Sequence, residues 1–438
     1  MIRFNSVILL FCSMCSQYFF AQKMVSNHLT LKSMLEKVAI HNRDLKIAEY
    51  ELEDKYVQID DSKFNLLPDL SIAASVDKAS NFPIYDNGLF NKPSQHDVIH
   101  TLYATNTNLY WTLYDGMKKL NTVRFNELAS ELEKEKFLEK TASVNLQAIF
   151  LFYDLYLQME LKNLMQEDIK EKEHQHKEIK DFYELGVVLH SDVLRAELEL
   201  SKRKMTLIEI ENQVTKINQQ LNVMMGVKDD FIWNPIENIS VLPNYENFNE
   251  ALQIAVDNGY EEKMSSVHVK MVEKEYDIIK SKNSVEIGLT GSFQFSNPQI
   301  FLYPYNDSWY NLGLIGLKAQ FSISELYKNK NKKVSAKISI EKAHEHHKKV
   351  NDNIRTRIYK DYLALDESVK YVNIYKLNVE SSSENARILR DAYFNQTALI
   401  TDLLDADVLV LKSKFEFKQS QINVFKNYYK LQYSKGTL

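Results

Sequence analysis

The chain has 438 residues, 45% of them apolar, with only ten glycines, seven prolines and two cysteines, and a formal charge of −5. So few helix breakers beside abundant Glu, Lys and Leu exclude a loop-rich globule and favour long helices. Lys and Arg are scattered among acidic neighbours, so no nucleic-acid partner is expected.

Residues 1–21 have the layout of a secretory signal peptide: Arg3, an apolar stretch from Val7 to Phe11, and Ala21 before Gln22 as the cut site. Cys12 and Cys15 both fall inside it, so the mature chain would hold neither a disulfide nor a thiolate metal ligand. Cys15 is a candidate for lipidation, although Cys12, Ser13 and Met14 make a poor signal for it. After residue 21 no 18-residue apolar run occurs, leaving a periplasmic, secreted or β-barrel protein.

Leu31, Leu35, Val38, Leu45, Ala48 and Leu52 keep helical spacing, predicting a helix over 29–63 that Pro68 stops. Leu70, Ile72, Ala74 and Val76 then alternate with Ser71 and Ser75. Thr105, Thr107, Leu109, Trp111 and Leu113 alternate with Asn106, Asn108 and Thr112, giving a two-stranded hairpin joined by a polar loop over 77–100. From 116 to 184 the spacing predicts one helix, roughly 100 Å long. Within it the run from Ile149 to Leu157 is apolar nearly all round and must be covered on several sides. A reversal at 186–191 and a returning helix follow, ending at Gly226. Residues 227–247, with Trp233, Pro235 and Pro243, read as an irregular linker.

The order then repeats. Helix is expected from 248 to about 281, and strands carrying Ile287, Leu289, Phe293 and Phe295, then Ile315, Leu317 and Ala319, flank an aromatic loop at 298–309. A second long helix over 325–393 reaches a reversal at 394–401, and a last helix runs to about 433. Tyr183, Ser191, Asp192, Leu194 and Ala196 recur 210 positions later as Tyr393, Thr401, Asp402, Leu404 and Ala406. Both phrases read as a helix stop, with Gly186 and Asn395 tolerating positive φ, followed by Ser191 or Thr401 as N-cap. The chain therefore divides into two structural repeats, 22–226 and 248–438, around the linker.

Four strands with one apolar and one polar face are too few to close a barrel, for which about eight is the lower limit. An open sheet of this kind would aggregate in water and leave unpaired edges in lipid. A cyclic oligomer sharing one barrel resolves both problems. Tyr110, Trp111, Trp309 and Tyr310 lie near strand ends and are candidates for interfacial girdles.

The duplicated phrase, the Leu66-Leu67-Pro68-Asp69-Leu70 stretch before the first strand, and Leu113-Tyr114-Asp115-Gly116 after the second resemble the TolC-like outer-membrane efflux protein family. The resemblance spans about residues 29–435. It implies a homotrimer with a 12-stranded barrel in outer-membrane lipid of a Gram-negative bacterium and a long helical barrel in the periplasm. Such a channel serves tripartite efflux or type I secretion, passively conducting what an inner-membrane transporter delivers through a periplasmic adaptor.

By the same resemblance the reversals form the periplasmic end. Asp402, Asp405 and Asp192 match acidic positions that narrow the pore, with Arg195 standing opposite Asp405 in the first copy. Gly186, Val187, Ser191, Leu194 and Ala196 of one tip, and Gln396, Thr401, Leu404 and Ala406 of the other, are the expected adaptor contacts. Gln396 stands where glycine is expected.

Asp192 and Asp402 are also explained as helix-capping carboxylates. His344, His346 and His347, and His174 with His176, read as solvated helix faces rather than metal ligands, since only His344 and His347 could share a face. No phosphate loop, nucleophile elbow or zinc motif occurs, so neither enzyme chemistry nor a cofactor is expected. The competing reading is an exported coiled-coil or adaptor protein built of long hairpins.

Overall fold

The computed structural model describes residues 27–96, 98–239, 241–299 and 306–438. The expected signal peptide, with Cys12 and Cys15, and part of the aromatic loop lie outside the described residues. The chain opens with β1 (His28–Leu29), α1 (Leu31–His41) and α2 (Arg43–Phe64). Thr30 and Ser33 start α1 as a reciprocal capping box, each side-chain oxygen accepting from the other's backbone N–H, at 3.3 and 3.2 Å. The single helix expected over 29–63 is broken at Asn42, whose extended backbone and Oδ1, accepting from Asp44 and Leu45 N–H, start a second helix.

Next come β2 (Asp69–Lys78), β3 (Phe82–Ile84), β4 (Ser94–His96) and β5 (Thr101–Tyr114). The stretch read as a polar loop thus contains the small β3–β4 hairpin. Gly116 and Met117, both at positive φ, turn the chain from β5 into α3 (Lys118–Glu184). At 67 residues α3 is about 100 Å long. Then α4 (His190–Met225) returns and ends on Gly226 at φ 65°.

The second half runs β6 (Asn234–Pro235), α5 (Phe248–Asn258), α6 (Tyr260–Ser281), β7 (Glu286–Asn297), β8 (Tyr310–Gln320), α7 (Ile323–Lys328), α8 (Lys330–Phe394) and α9 (Ile400–Lys435). Gly259 separates α5 from α6 much as Asn42 separates α1 from α2. The long helix expected from 325 is interrupted at Asn329, whose fully buried amide donates to Ile279 O at 2.7 Å and Asn283 Oδ1 at 2.8 Å. The break is one residue wide: Asn329 keeps right-handed helical backbone (φ −85°, ψ −7°), its N–H bonds to Glu325 O and Lys333 N–H bonds to its own carbonyl, both at 3.0 Å.

The main sheet has the order β2-β5-β7-β8, all antiparallel, so β2 and β8 are its edges. Its register puts Leu70, Ile72, Leu109, Phe293, Leu289 and Leu317 on one face and Ser71, Asn106, Asn108, Ser292, Gln294 and Lys318 on the other. The alternation expected to continue to Leu113 fails there. A bulge between Thr112 and Tyr114 shifts the phase, so Tyr114 pairs with Ile287 instead.

Below the sheet the helices lie side by side. In the upper part the order is α2-α3-α6-α8, and in the lower part α4-α3-α9-α8. The core sits between these levels. Ile149, Phe152, Tyr153, Leu155 and Leu157 are buried against α1, α4 and α9, the many-sided cover that the apolar run requires. The linker wraps this belt: Trp233 is buried, its indole N–H donating to Asn222 Oδ1 at 2.7 Å and its backbone N–H to Asn218 Oδ1 at 2.9 Å. Its β6 pairs in parallel with β1. No helix among the described residues is long and apolar enough to cross a membrane.

Candidate functional site

The two reversals lie together at the end of the helices farthest from the sheet. Each α-helix leaves through a residue in the left-handed region, Gly186 at φ 75° and Gln396 at φ 64°. Val187 N–H then bonds back to Phe182 O at 2.9 Å and Thr397 N–H to Ala392 O at 2.8 Å, the six-to-one closure of a Schellman turn. Asn395, expected to take positive φ, sits at −87°, and Gln396 does so in its place. The offset from Gly186 to Gln396 is again 210, so both tips have one backbone geometry despite the missing glycine.

The N-caps also differ from expectation. They are Leu189 and Leu399, two residues before Ser191 and Thr401. A leucine has no capping oxygen, and in the second tip Asp402 supplies one, Oδ2 accepting from Leu399 N–H at 3.3 Å. Asp402 is therefore a capping residue. Asp192 is half-buried and accepts from Tyr393 Oη at 3.4 Å across the two tips. Burial and the adjacent Asp192 charge push the Tyr393 hydroxyl up to about 12. Asp405 and Arg195 are both exposed, and Asp405 makes no ion pair among the described residues.

Ile179, Val193, Ala196, Tyr393, Ile400, Leu403 and Leu404 form one buried cluster, so the tips pack on each other. Phe182 and Phe394 extend it, with ring centroids 5.4 Å apart. Ala196, Leu404 and Ala406, expected at the contact surface, are buried instead. They sit on the helix stripe that turns inward, which one copy of the phrase alone does not reveal. Gly186, Val187, Ser191, Leu194 and Gln396 are exposed and Thr401 is half-exposed. Leu185, Leu189 and Leu399 join them, exposed at 76%, 71% and 68%, an apolar rim that sequence reasoning did not single out.

One layer above the tips lies a buried ionic cluster that was also missed. Lys172 Nζ is 2.8 Å from Asp407 Oδ2, which also accepts from Gln175 Nε2 at 3.0 Å. Arg203 Nε lies 3.0 Å from Asp168 Oδ2. Burial raises the Asp168 carboxyl above its usual range, with Arg203 and Lys172 opposing that shift. Arg390 reaches from α8 to Glu178 on α3 at 3.1 Å. These partners are far apart in sequence, so no local spacing announces them. Higher up, His347 is partly exposed and joins α8 to α6 by a hydrogen bond, its Nδ1 lying 2.7 Å from Ser265 Oγ.

A sheet at one end, α-helices of this length, and paired reversals at the other end define the fold of outer-membrane channel proteins. The outer-membrane channel OprN matches with a TM-score of 0.77 over 93% of this chain and 90% of its own, at 14% identity. The outer membrane protein VceC of Vibrio cholerae gives 0.76 over 93% and 96%, at 12% identity. The Campylobacter jejuni outer membrane channel CmeC gives 0.72 over 94% and 86%, at 15% identity. Neither a protein-family model nor a curated protein sequence matches the chain.

Proposed function

We propose that the chain is one protomer of a homotrimeric outer-membrane channel. It would conduct substrates passively, without catalysis, from an inner-membrane transporter and a periplasmic adaptor to the outside. The observation that carries this reading is the sheet. All ten residues of edge strand β2 are exposed, Ile72 at 71%, although half of them are apolar. β8, the other edge, exposes Ile315 and Leu317 on the same face of the sheet. A sheet with an apolar face and two unpaired edges is unstable in water and open to pairing. Head-to-tail union of β8 with β2 of the next copy removes both edges, and three copies close a barrel of twelve strands.

Aromatic residues support a membrane level. Trp309 stacks on Phe295 at 5.0 Å and lies 5.9 Å from Tyr103, at the end of the sheet away from the helices. Trp111, near the helical end, donates to Leu66 O at 3.0 Å. From Tyr103 to Trp111 the strand rises about 27 Å, close to the height of an apolar barrel band. The two repeats, 22–226 and 248–438, would each supply one hairpin to the barrel and one reversal to the tip. We assign the exposed tip residues to the adaptor and Asp402, Asp405 and Asp192 to the narrowing of the pore.

Purified protein placed in a planar bilayer should conduct, and unheated samples should run at a higher apparent mass than heated ones. A protein that does neither, and stays soluble without detergent, is the coiled-coil or adaptor protein of the competing reading. The apolar face of the sheet argues against that outcome.

A further inference from the structure

The lateral edges of the helical layer carry opposite charge. In the upper part α2 and α8 are the outermost helices, each packed on one neighbour and open on the far side. On α2 that side is a heptad stripe of Arg43, Ile47, Tyr50, Asp54, Val57, Asp61 and Phe64, all exposed, whose charges nearest the sheet are the two carboxylates and whose one cation lies at the far end. The α2 segment 43–64 holds seven carboxylates and four cations, net −3. On α8 the open side carries Val334, Ile338 and Glu341, flanked by Lys330, Lys337 and Lys342, so that cations outnumber the one carboxylate there. Residues 330–349 hold seven lysines and two carboxylates, net +5.

The heights agree. Val57 is seven residues before the end of α2 and Ile338 eight after the start of α8, both counted from the sheet. Asp44 and Asp60 are paired within the chain, with Lys140 and Lys63. Glu53, Asp54 and Asp61, and the three flanking lysines, make no ion pair among the described residues. Below, the open helices show no such contrast: α4 carries five charges of each sign, and α8 from 350 to 394 carries seven of each.

We propose that the upper seam between copies is charge-keyed, the acidic face of α2 docking on the basic face of α8 of the next copy. This rests on the trimeric reading and adds to it which residues set the register of the ring. Each pair is exposed before assembly and contributes little alone, but a row of them steers docking and suppresses misregistered contacts. Because a head-to-tail ring presents both faces on every copy, the key repeats at each seam.

The test is trimer yield in detergent for wild type, for Lys330→Glu/Lys337→Glu/Lys342→Glu, and for that variant combined with Glu53→Lys/Asp54→Lys/Asp61→Lys. At about 50 mM salt the triple reversal should lower yield about tenfold, and the sixfold variant should restore it. Unchanged yield in the triple variant, or no recovery in the sixfold one, overturns the key while leaving the trimer intact. Circular dichroism separates misfolding from failed assembly. Independently of charge, Val57→Cys/Ile338→Cys should form disulfides between copies and give a ladder ending at the trimer, and absence of crosslinks overturns the seam. A monomeric wild type would instead sink the trimeric reading itself.

Discussion

The hydroxyl of Tyr393 donates to Oδ2 of Asp192 at 3.4 Å, tying the second tip to the first. Because Tyr393 is otherwise buried among Ile179, Val193 and Leu403, this is the polar link inside an apolar joint. Tyr393→Phe keeps the packing and removes the donor, which should weaken the joint by about 1 kcal/mol and raise resting conductance. The hydroxyl has a raised folded-state value, from 10.0 to about 12. Its stabilisation is therefore complete below pH 10 and lost as pH climbs through about 12. Bilayer conductance of wild type should step upward in that window, and the Phe variant should lack the step. A step that persists in the variant would assign it to another group.

Gln396 is a side chain held at φ 64°, where glycine is favoured, and Gly186 fills the matching place at φ 75°. A Cβ at Gly186 would meet nothing within 4 Å, so only backbone conformation distinguishes the two tips here. Gln396→Gly should stabilise by up to about 1 kcal/mol, and Gly186→Ala should destabilise by a similar amount. Thermal melting in detergent reads both. Equal and small shifts would mean that the tips frayed before the melt.

The same pair shows what sequence can and cannot convey. Periodicity, breakers and the offset of 210 placed the long helices, the hairpins and both reversals, because each depends on neighbours in the chain. Sequence also marked Gln396 as the exception, but it assigned positive φ to Asn395, since asparagine tolerates that region better. The outcome was decided by register: the six-to-one bond from Thr397 to Ala392 fixes which residue turns left-handed. Ser191 and Thr401 misled for a related reason, as the helices start early enough for Asp402 to reach back to Leu399. Partners such as Tyr393 with Asp192, or Lys172 with Asp407, are brought together only by packing of α3, α4, α8 and α9.

Asp407 illustrates how position decides cost. Its side chain is 12% exposed and pairs with Lys172, 9% exposed, at 2.8 Å. Asp407→Ala would strand a buried ammonium group and should cost about 3–5 kcal/mol. Replacing both partners, as Lys172→Met/Asp407→Leu, should recover most of that loss, because desolvation of the pair is removed together with its attraction. Denaturation midpoints of the three proteins check this, and a double variant as unstable as the single one would locate the damage in packing.

Asp405, two residues earlier, is exposed and makes no ion pair among the described residues, so Asp405→Ala should leave the melting temperature nearly unchanged. Asp402→Ala should cost roughly 0.5–1 kcal/mol, because it loses the bond to Leu399 N–H and a carboxylate in the first helical turn. Both belong to the proposed constriction, so each should raise resting conductance, and together more than either. Changes at Asp192 and Arg195 should raise it less, since Asp192 acts only through its bond to Tyr393, as in Tyr393→Phe, and Arg195 reverses the sign of the position matching Asp405. Stability thus separates capping from pore lining: Asp405→Ala should alter conductance alone. Equal conductance changes from the two copies would place the constriction in both arms, and no change from Asp405→Ala would remove that residue from it.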